Sequence, residues 1–340
     1  MITIDKPVSG NVFYDGKMRK GTLQVRGDSV EFREGWISNN SVSGTLIPAM
    51  INAHTHVGDS FITIEPEGDI KEAVGPGGFK EKQYESASEA VVRAGMRRSM
   101  KFMSRTGTSA FIDFREGGYS GSALLRNIGH EPKPIILGRP LSTSDGTLGI
   151  ADGAGMSAIL DHDAPFMRDI SEECRRTGKL FALHLSERIR EDIDAALALK
   201  PDLLVHCLEC TDQDLDMIAS AGIPIAITPR SNVFFGKRKD YSMFLRHGIT
   251  LLLGTDNVMT VEPDMFSEMG FLFTWQRSIN RISPDSIISM ATENPGKFIN
   301  RRGLGTETFQ YLFFRGLRLS SYELVSKAHM FKFSFARLIP

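Results

Sequence analysis

The sequence is poor in cysteine, in charge imbalance and in long apolar runs, and each shortage excludes something. Three cysteines, Cys174, Cys207 and Cys210, are too few for a disulfide framework. The spacing Cys207-Leu-Glu-Cys210 has no second pair to complete a zinc cage, so these thiols read as buried or loop cysteines. A formal net charge of −1 gives no electrostatic case for nucleic acid or an anionic membrane. No stretch approaches the ~20 apolar residues that span a bilayer, and Met1 to Lys20 has no apolar core resembling a secretory signal. A cytoplasmic protein is expected, acting on a small molecule; homo-oligomerisation is left open. No Gly-x-Gly-x-x-Gly or Walker-type loop is present, and Gly75-Pro-Gly-Gly78 follows no strand and lacks the lysine.

What is present is ordinary soluble composition, 41% hydrophobic and 24% charged over 340 residues, enough for one large domain and a small one. Residues 1–45 read as short strands (Asn11-Val-Phe-Tyr14, Gly21-Thr-Leu-Gln-Val25, Ser29-Val-Glu-Phe32) broken by Asp15-Gly16, Arg26-Gly27 and Gly35. They predict a small β-domain. From Thr45 onward, apolar strand-like runs alternate with helical stretches, the pattern of a parallel sheet wrapped by helices. Strands are expected at 45–53, 108–114, 134–138, 180–184, 202–206, 223–228 and 250–255, with an eighth, weakly marked, within 147–160. Helices are expected at 82–105, 165–178, 188–199, 212–221, 238–247, 261–276 and 284–299. An α/β chain of eight such units predicts a (β/α)8 TIM-type barrel over 46–305. A doubly wound open sheet is the alternative.

The candidate site lies at the carboxyl ends of these strands. His54-Thr-His56 ends the run from Leu46, and residues two apart on a strand share a face. His184, His206 and Asp256 end three further apolar runs in the same way. Any one strand-end histidine is more often merely hydrogen-bonded; four segments delivering such groups to one end point instead to a metal centre. A catalytic zinc site needs three protein ligands and an open position. His54, His56 and His184 supply imidazoles, and Asp256 adds a carboxylate able to meet metal and water. Glu187, three residues after His184, is suited to proton transfer, and His206 to orienting the attacked centre. His130, His162, His247 and His329 lack such neighbours and read as structural. Arg115, after the second strand, could pin a substrate carboxylate or simply close a loop ion pair. The segment from Gly58 to Gln83 could cover the pocket with Phe61, Ile62, Ile64 and Phe79, while Asp59, Glu65 and Glu67 meet polar groups.

These motifs resemble the amidohydrolase superfamily, and within it the deaminase and chlorohydrolase branch that holds S-adenosylhomocysteine/methylthioadenosine deaminases, guanine deaminase and triazine hydrolases. The resemblance runs from about Thr45 to Lys297. It is carried by Leu46-Ile-Pro-Ala-Met-Ile-Asn-Ala-His-Thr-His56, Gly107-Thr-Ser109, His184-Leu-Ser-Glu187 and His206-Cys-Leu-Glu-Cys-Thr-Asp212. Thr228-Pro-Arg-Ser-Asn232, Leu253-Gly-Thr-Asp-Asn257 and Ala291-Thr-Glu-Asn-Pro295 continue it. It implies one divalent ion, zinc or alternatively iron, held by His54, His56, His184 and Asp256, with Glu187 and His206 as the proton-transfer and orienting pair. Binuclear members bridge their metals through a lysine on the fourth strand, and 141–160 contains none. Asp59, Arg115 and Asn232 are the candidate substrate contacts. The implied reaction is hydrolytic deamination of an amino-substituted heterocycle such as a purine or pterin. Hydrolysis of another C–N bond (cyclic amide, formimino) or of a C–Cl bond is the near alternative, and a non-catalytic barrel the distant one. Two departures stand out. Pro48-Ala49 replaces the family's Pro-Gly, and the tail 306–340 is aromatic and basic rather than Gly-rich and acidic. That tail predicts an incomplete β-sandwich, exposed aromatic surface, and a barrel that tolerates truncation near Gly305.

Overall fold

The computed structural model describes all residues except 28, 38, 306–309 and 340. Its centre is a ring of parallel strands: Met50–His56, Thr108–Arg115, Lys133–Gly138, Gly153–Met156, Leu180–Leu185, Leu203–His206, Ile225–Ile227 and Leu251–Leu253. Each pairs with the next, and Asp256–Asn257, the continuation of the eighth strand, pairs parallel with Thr55 and His56 of the first. The ring is therefore closed. This is the eight-stranded β/α barrel expected from the alternating pattern, and the open-sheet alternative falls with the closure.

Strand alternation sorts the side chains. Ala110, Ile112 and Phe114, Leu180 and Ala182, and Leu203 and Val205 fill the barrel interior. Their neighbours Phe181, Leu183, Leu185 and Leu204 face outward against the helices. The surrounding helices include Glu89–Arg105, Ala164–Arg176, Asp212–Ser220 and Met265–Arg277, each burying an apolar face. Some expected helices are shorter or divided. The stretch 82–105 is two helices, Phe79–Ser86 and Glu89–Arg105, separated at Ala87-Ser88. The stretch 188–199 is helical only over Ile193–Ala198, which starts where Asp192 caps the Ala195 amide. The helix Gly118–Arg126 was not foreseen, because its glycines mask the periodicity.

The first expected strand, 45–53, is two strands. Val42–Pro48 belongs to the small sheet and Met50–His56 to the barrel, with the break at Ala49. The small sheet has seven strands in the order Ile2–Ile4, Ser334–Leu338, Gln310–Arg315, Val42–Pro48, Val8–Tyr14, Lys17–Arg26 and Ser29–Glu34. At one point its backbones nearly touch: Gly10, at φ +150°, sits so close to Gly44 that any side chain there would meet the Gly44 carbonyl.

The expectation for the tail is corrected. Residues 310–315 and 334–338 are inner strands of the small sheet and complete it. Tyr311 and Phe313 pack on one face with Leu46 and Val12, while Leu312 and Phe314 face the barrel side. What reads as aromatic excess is a strand buried on both faces, which replaces alternation with a continuous apolar run. Residues Thr306 to Phe309 of the tail lie outside the described part. Removing everything after Gly305 is now expected to strip two paired strands and cost cooperative unfolding. Leu312→Ala alone should lower stability by about 2–5 kcal/mol in chemical denaturation. A soluble truncated chain with the full chain's melting temperature would contradict this.

Candidate metal centre

The mouth of the barrel is lined by residues whose directions need local departures from regular strand geometry. Ile51 and Ala53 point inward, so strict alternation would turn His54 and His56 outward. Between Asn52 and Thr55, however, three steps on the first strand oppose two on the second, from Phe111 to Asp113. That one-residue bulge reverses the alternation and brings both imidazoles into the mouth. His206 follows inward-facing Val205 and is re-aimed by a left-handed backbone at φ +69°, as Asp256 is at +65°. Non-glycine residues hold that conformation only where their surroundings enforce it. Gly254 permits the closure, because a side chain there would lie 2.6 Å from the His54 amide nitrogen.

The result is a compact cage. Ring nitrogens of His54, His56 and His184 lie within 4.8 Å of one another, and so do the ligand atoms of His54, His206 and Asp256. Asp256 Oδ1 is 3.3 Å from His54 Nε2 and 3.5 Å from His56 Nε2. The outer hydrogen bonds fix the tautomers. His184 Nδ1 is 2.7 Å from the Met156 carbonyl, which can only accept, so Nε2 is left as the lone-pair donor. His56 Nδ1 is 2.8 Å from Glu116 Oε1, with the same consequence. Ser231 donates to Asp256 Oδ2 at 2.7 Å, and Asn257 donates to Oδ1 at 2.9 Å.

The charge states suit a cation. Burial drives His54 down to about 3, so the imidazole is neutral and able to ligate. Burial and the neighbouring His54 and His206 hold His184 well below the usual histidine range. Burial would raise Asp256, but contact with His54 and the fields of His206 and His56 keep it well below the ordinary carboxylate value. Both ring nitrogens of His54 are buried without a hydrogen-bond partner. Leaving such an atom unsatisfied costs on the order of 1–3 kcal/mol, and a bound metal ion would remove that cost for the one ring nitrogen that ligates it. Three imidazoles and a carboxylate are a donor set that fits zinc or iron.

Glu187 and His206 complete the mouth, with Glu187 Oε1 3.4 Å from His206 Nε2. Burial raises the Glu187 carboxyl, favouring a protonated acid. His206 Nδ1 lies 3.3 Å from the Thr228 hydroxyl. A cleft opens above the cage, lined by His56, His184, Glu187, His206, Asp256 and Asn257 among others.

The structure gives each of the three expected substrate contacts partners within the protein. Asp59 is buried, accepts from the Met259 amide and lies 3.5 Å from Lys80 Nζ. Arg115 is buried against the Tyr84 hydroxyl, Glu116 and Asp113, an arrangement that contains an ion pair. Asn232 donates to the Tyr241 hydroxyl. None of the three lines the cleft. The segment Gly58 to Gln83 does cover it, but through Ile70, Val74, Pro76 and Lys80 rather than the residues expected. Ile64 is exposed and Phe61 packs on Tyr84. Sequence reasoning missed Lys80, which donates to Glu116 at 2.6 Å and Asn257 at 3.0 Å. It sits in no motif, and only folding brings it near His56. His247 pairs with Asp212 and Asp216, and His329 with Asp264, away from the cage. All three cysteines are buried free thiols.

With this geometry in place, comparison with known proteins identifies the class. A profile of the amidohydrolase family matches residues 45–306, and the chain belongs to that family. It is 37% identical over 228 residues to an inferred aminohydrolase of Archaeoglobus fulgidus, covering 66% of this chain and 68% of that one. It is 26% identical over 344 residues to a 5-methylthioadenosine/S-adenosylhomocysteine deaminase of Pyrococcus abyssi, covering 85% of this chain and 79% of the relative. In fold it resembles an adenosine deaminase from Xanthomonas campestris with bound zinc, with TM-score 0.73 and 14% identity, over 95% of this chain and 89% of that one. The chain is thus an amidohydrolase-family protein with deaminases among its homologues and a His/Asp group able to hold a metal. Among the described residues no helix is long and apolar enough to cross a membrane.

The cage makes a specific prediction. His54→Ala, His56→Ala and His184→Ala should each lose most bound metal by elemental analysis, whereas His247→Ala should keep it. Glu116→Gln, which weakens the hydrogen bond behind His56 together with the Lys80 and Arg115 ion pairs, should lower metal affinity by about 10–100-fold. Full occupancy in both His54→Ala and His56→Ala would sink the assignment.

Proposed function

We propose that this protein is a mononuclear metal-dependent hydrolase that deaminates an amino-substituted heterocycle, with zinc the favoured ion. The observation that carries the reading is the convergence of three imidazoles and one carboxylate beside the half-buried Glu187, whose carboxyl is raised by desolvation. His54, His56, His184 and Asp256 would hold the ion. When bound, it brings the pKa of a ligated water to roughly 7 and so supplies a nucleophile at neutral pH.

The remaining work falls to side chains. The Glu187 carboxyl, raised by burial, donates its proton to a ring nitrogen as the adjacent ring carbon is attacked. It then recovers a proton from the attacking water and passes it to the departing amino group, which leaves as ammonia. The ring carbon exchanges its C–N bond for a C–O bond, and no oxidant is consumed. His206, 3.4 Å from Glu187, orients the attacked centre and the oxygen added to it. Ser231 holds Asp256 Oδ2 and so keeps its other oxygen turned to the cage. The fourth barrel strand ends at Met156 and carries no lysine, which supports one ion rather than two.

Two measurements test the reading. Glu187→Gln keeps size and polarity but cannot cycle a proton; bound metal should persist while turnover falls about 10²–10⁴-fold. Wild-type turnover in that variant would exclude Glu187 as the acid/base group. Ammonia release should be screened across purines, pterins, pyrimidines and triazines with metal-loaded protein. Release of chloride or of a ring-opened amide instead would move the reaction to the neighbouring C–Cl or cyclic-amide chemistry.

A further inference from the structure

Lys80 has only 6% of its surface exposed, and lysine is almost never buried so deeply unless its charge is paired. It belongs to the segment between the first barrel strand and the helix Glu89–Arg105, near the start of the helix Phe79–Ser86. Its ammonium donates to Glu116 Oε1 at 2.6 Å and to Asn257 Oδ1 at 3.0 Å, and Asp59 Oδ2 lies 3.5 Å away. Both acceptors are themselves bonded to residues of the cage. Glu116 Oε1, the same oxygen, is 2.8 Å from His56 Nδ1. Asn257 Nδ2 donates to Asp256 Oδ1 at 2.9 Å. One ammonium therefore stands behind two cage residues, one on the first strand and one on the continuation of the eighth.

A bare ammonium beside an ion site would repel a metal. Here the carboxylates of Glu116 and Asp59 offset its charge, so Lys80 acts on the cage through direction. The same residue anchors the covering segment. Among the described residues no hydrogen bond or ion pair joins 63–79 to the barrel. Asp69 and Glu72 cap each other's amides, and Glu81 accepts from the Gly77 amide, all within the segment. The polar anchors come just afterwards: Lys80, and Tyr84, whose hydroxyl accepts from Arg115 at 2.7 Å. Ile70, Val74 and Pro76, which line the cleft, are thus placed over it by a segment whose polar attachment runs through the partners of His56 and Asp256.

We infer that Lys80 is a positioning residue that couples docking of segment 63–86 over the cleft to capture of the metal ion at the cage. When the segment is docked, Lys80 holds Glu116 toward His56 Nδ1 and Asn257 toward Asp256 Oδ1, so both ligands are ordered before the ion arrives. When it is undocked, both partners lose that hold and the ion meets a looser pair. An ion that binds the docked state more tightly favours docking by the same factor. Groups behind metal ligands change affinity about 10–100-fold, which sets the expected size of the coupling. The inference rests on the metal-centre part of the proposed function and is independent of the substrate and the reaction.

The test uses zinc as the probe and the full chain throughout. Zinc affinity is measured by chelator competition on the wild type, on Lys80→Met and on Lys71→Met, which removes an exposed lysine of the same segment. Lys80→Met should bind zinc about 10–100-fold more weakly, and Lys71→Met as the wild type does. Amide hydrogen exchange is then followed without zinc and at saturating zinc. In the wild type zinc should slow exchange across 63–79 by a comparable factor. In Lys80→Met that slowing should vanish, while zinc still protects the backbone around His184; a merely structural loss would weaken both alike. Should Lys80→Met not fold, Lys80→Gln replaces it with the same expectation. Unchanged zinc affinity in the variant, exchange across 63–79 that zinc does not slow in the wild type, or slowing that persists in the variant overturns the coupling. If the wild type binds zinc and His54→Ala loses it, those outcomes count against the coupling alone. A wild type that binds no zinc, or zinc that survives His54→Ala, counts against the metal centre and takes the coupling with it.

Discussion

The structure depends on one closure. The chain leaving the eighth strand passes Gly254, which has no side chain to collide with the His54 backbone, and pairs Asp256 and Asn257 with Thr55 and His56. That contact completes the barrel and brings Asp256 Oδ1 within 3.5 Å of two imidazole nitrogens that come from the other end of the ring. Without it the first strand would carry two histidines and the last an isolated acid. The same closure brings Asn257 to the Lys80 ammonium and so ties the covering segment to the cage.

Around this closure the protein places polar groups where an apolar barrel would otherwise be continuous. Burying four histidines and one aspartate so close together is costly unless they are paired or meet a cation. The molecule meets part of that cost with accepting groups behind the rings: the Met156 carbonyl for His184, Glu116 for His56 and Thr228 for His206. His54 is the exception, lacking any such partner. The site is therefore oriented from behind and unsatisfied in front, the condition expected of a centre completed by an ion. Glu116 is itself stabilised: burial would raise it, but Lys80, His56 and Arg115 hold it well below the usual carboxylate range.

Much of this was legible in the sequence because strand ends and apolar runs are local signals. His54, His56, His184, His206 and Asp256 each terminate a run that reads as a strand without any tertiary information. Less local features did not read through. The break at Pro48-Ala49 divides one apolar run between two sheets, and nothing in the run marks the change. The bulge between Asn52 and Thr55 is a property of pairing with the second strand, absent from either sequence alone. Arg115 and Asn232 follow strands as functional groups do, yet their partners Tyr84, Asp113 and Tyr241 come from distant or unremarkable positions. Lys80 stands in no motif. The tail misled because a strand buried on both faces loses the alternation by which edge and surface strands are recognised.

The central claim is that a single metal ion occupies the point on which His54, His56, His184 and Asp256 converge. Anomalous scattering from crystals of the metal-loaded protein, collected at the metal's absorption edge, tests it most directly. The account predicts one strong peak in the barrel mouth, about 2.0–2.2 Å from ring nitrogens of the three histidines and a carboxylate oxygen of Asp256. A pair of peaks about 3.5–4 Å apart, or a peak away from these residues, would contradict it.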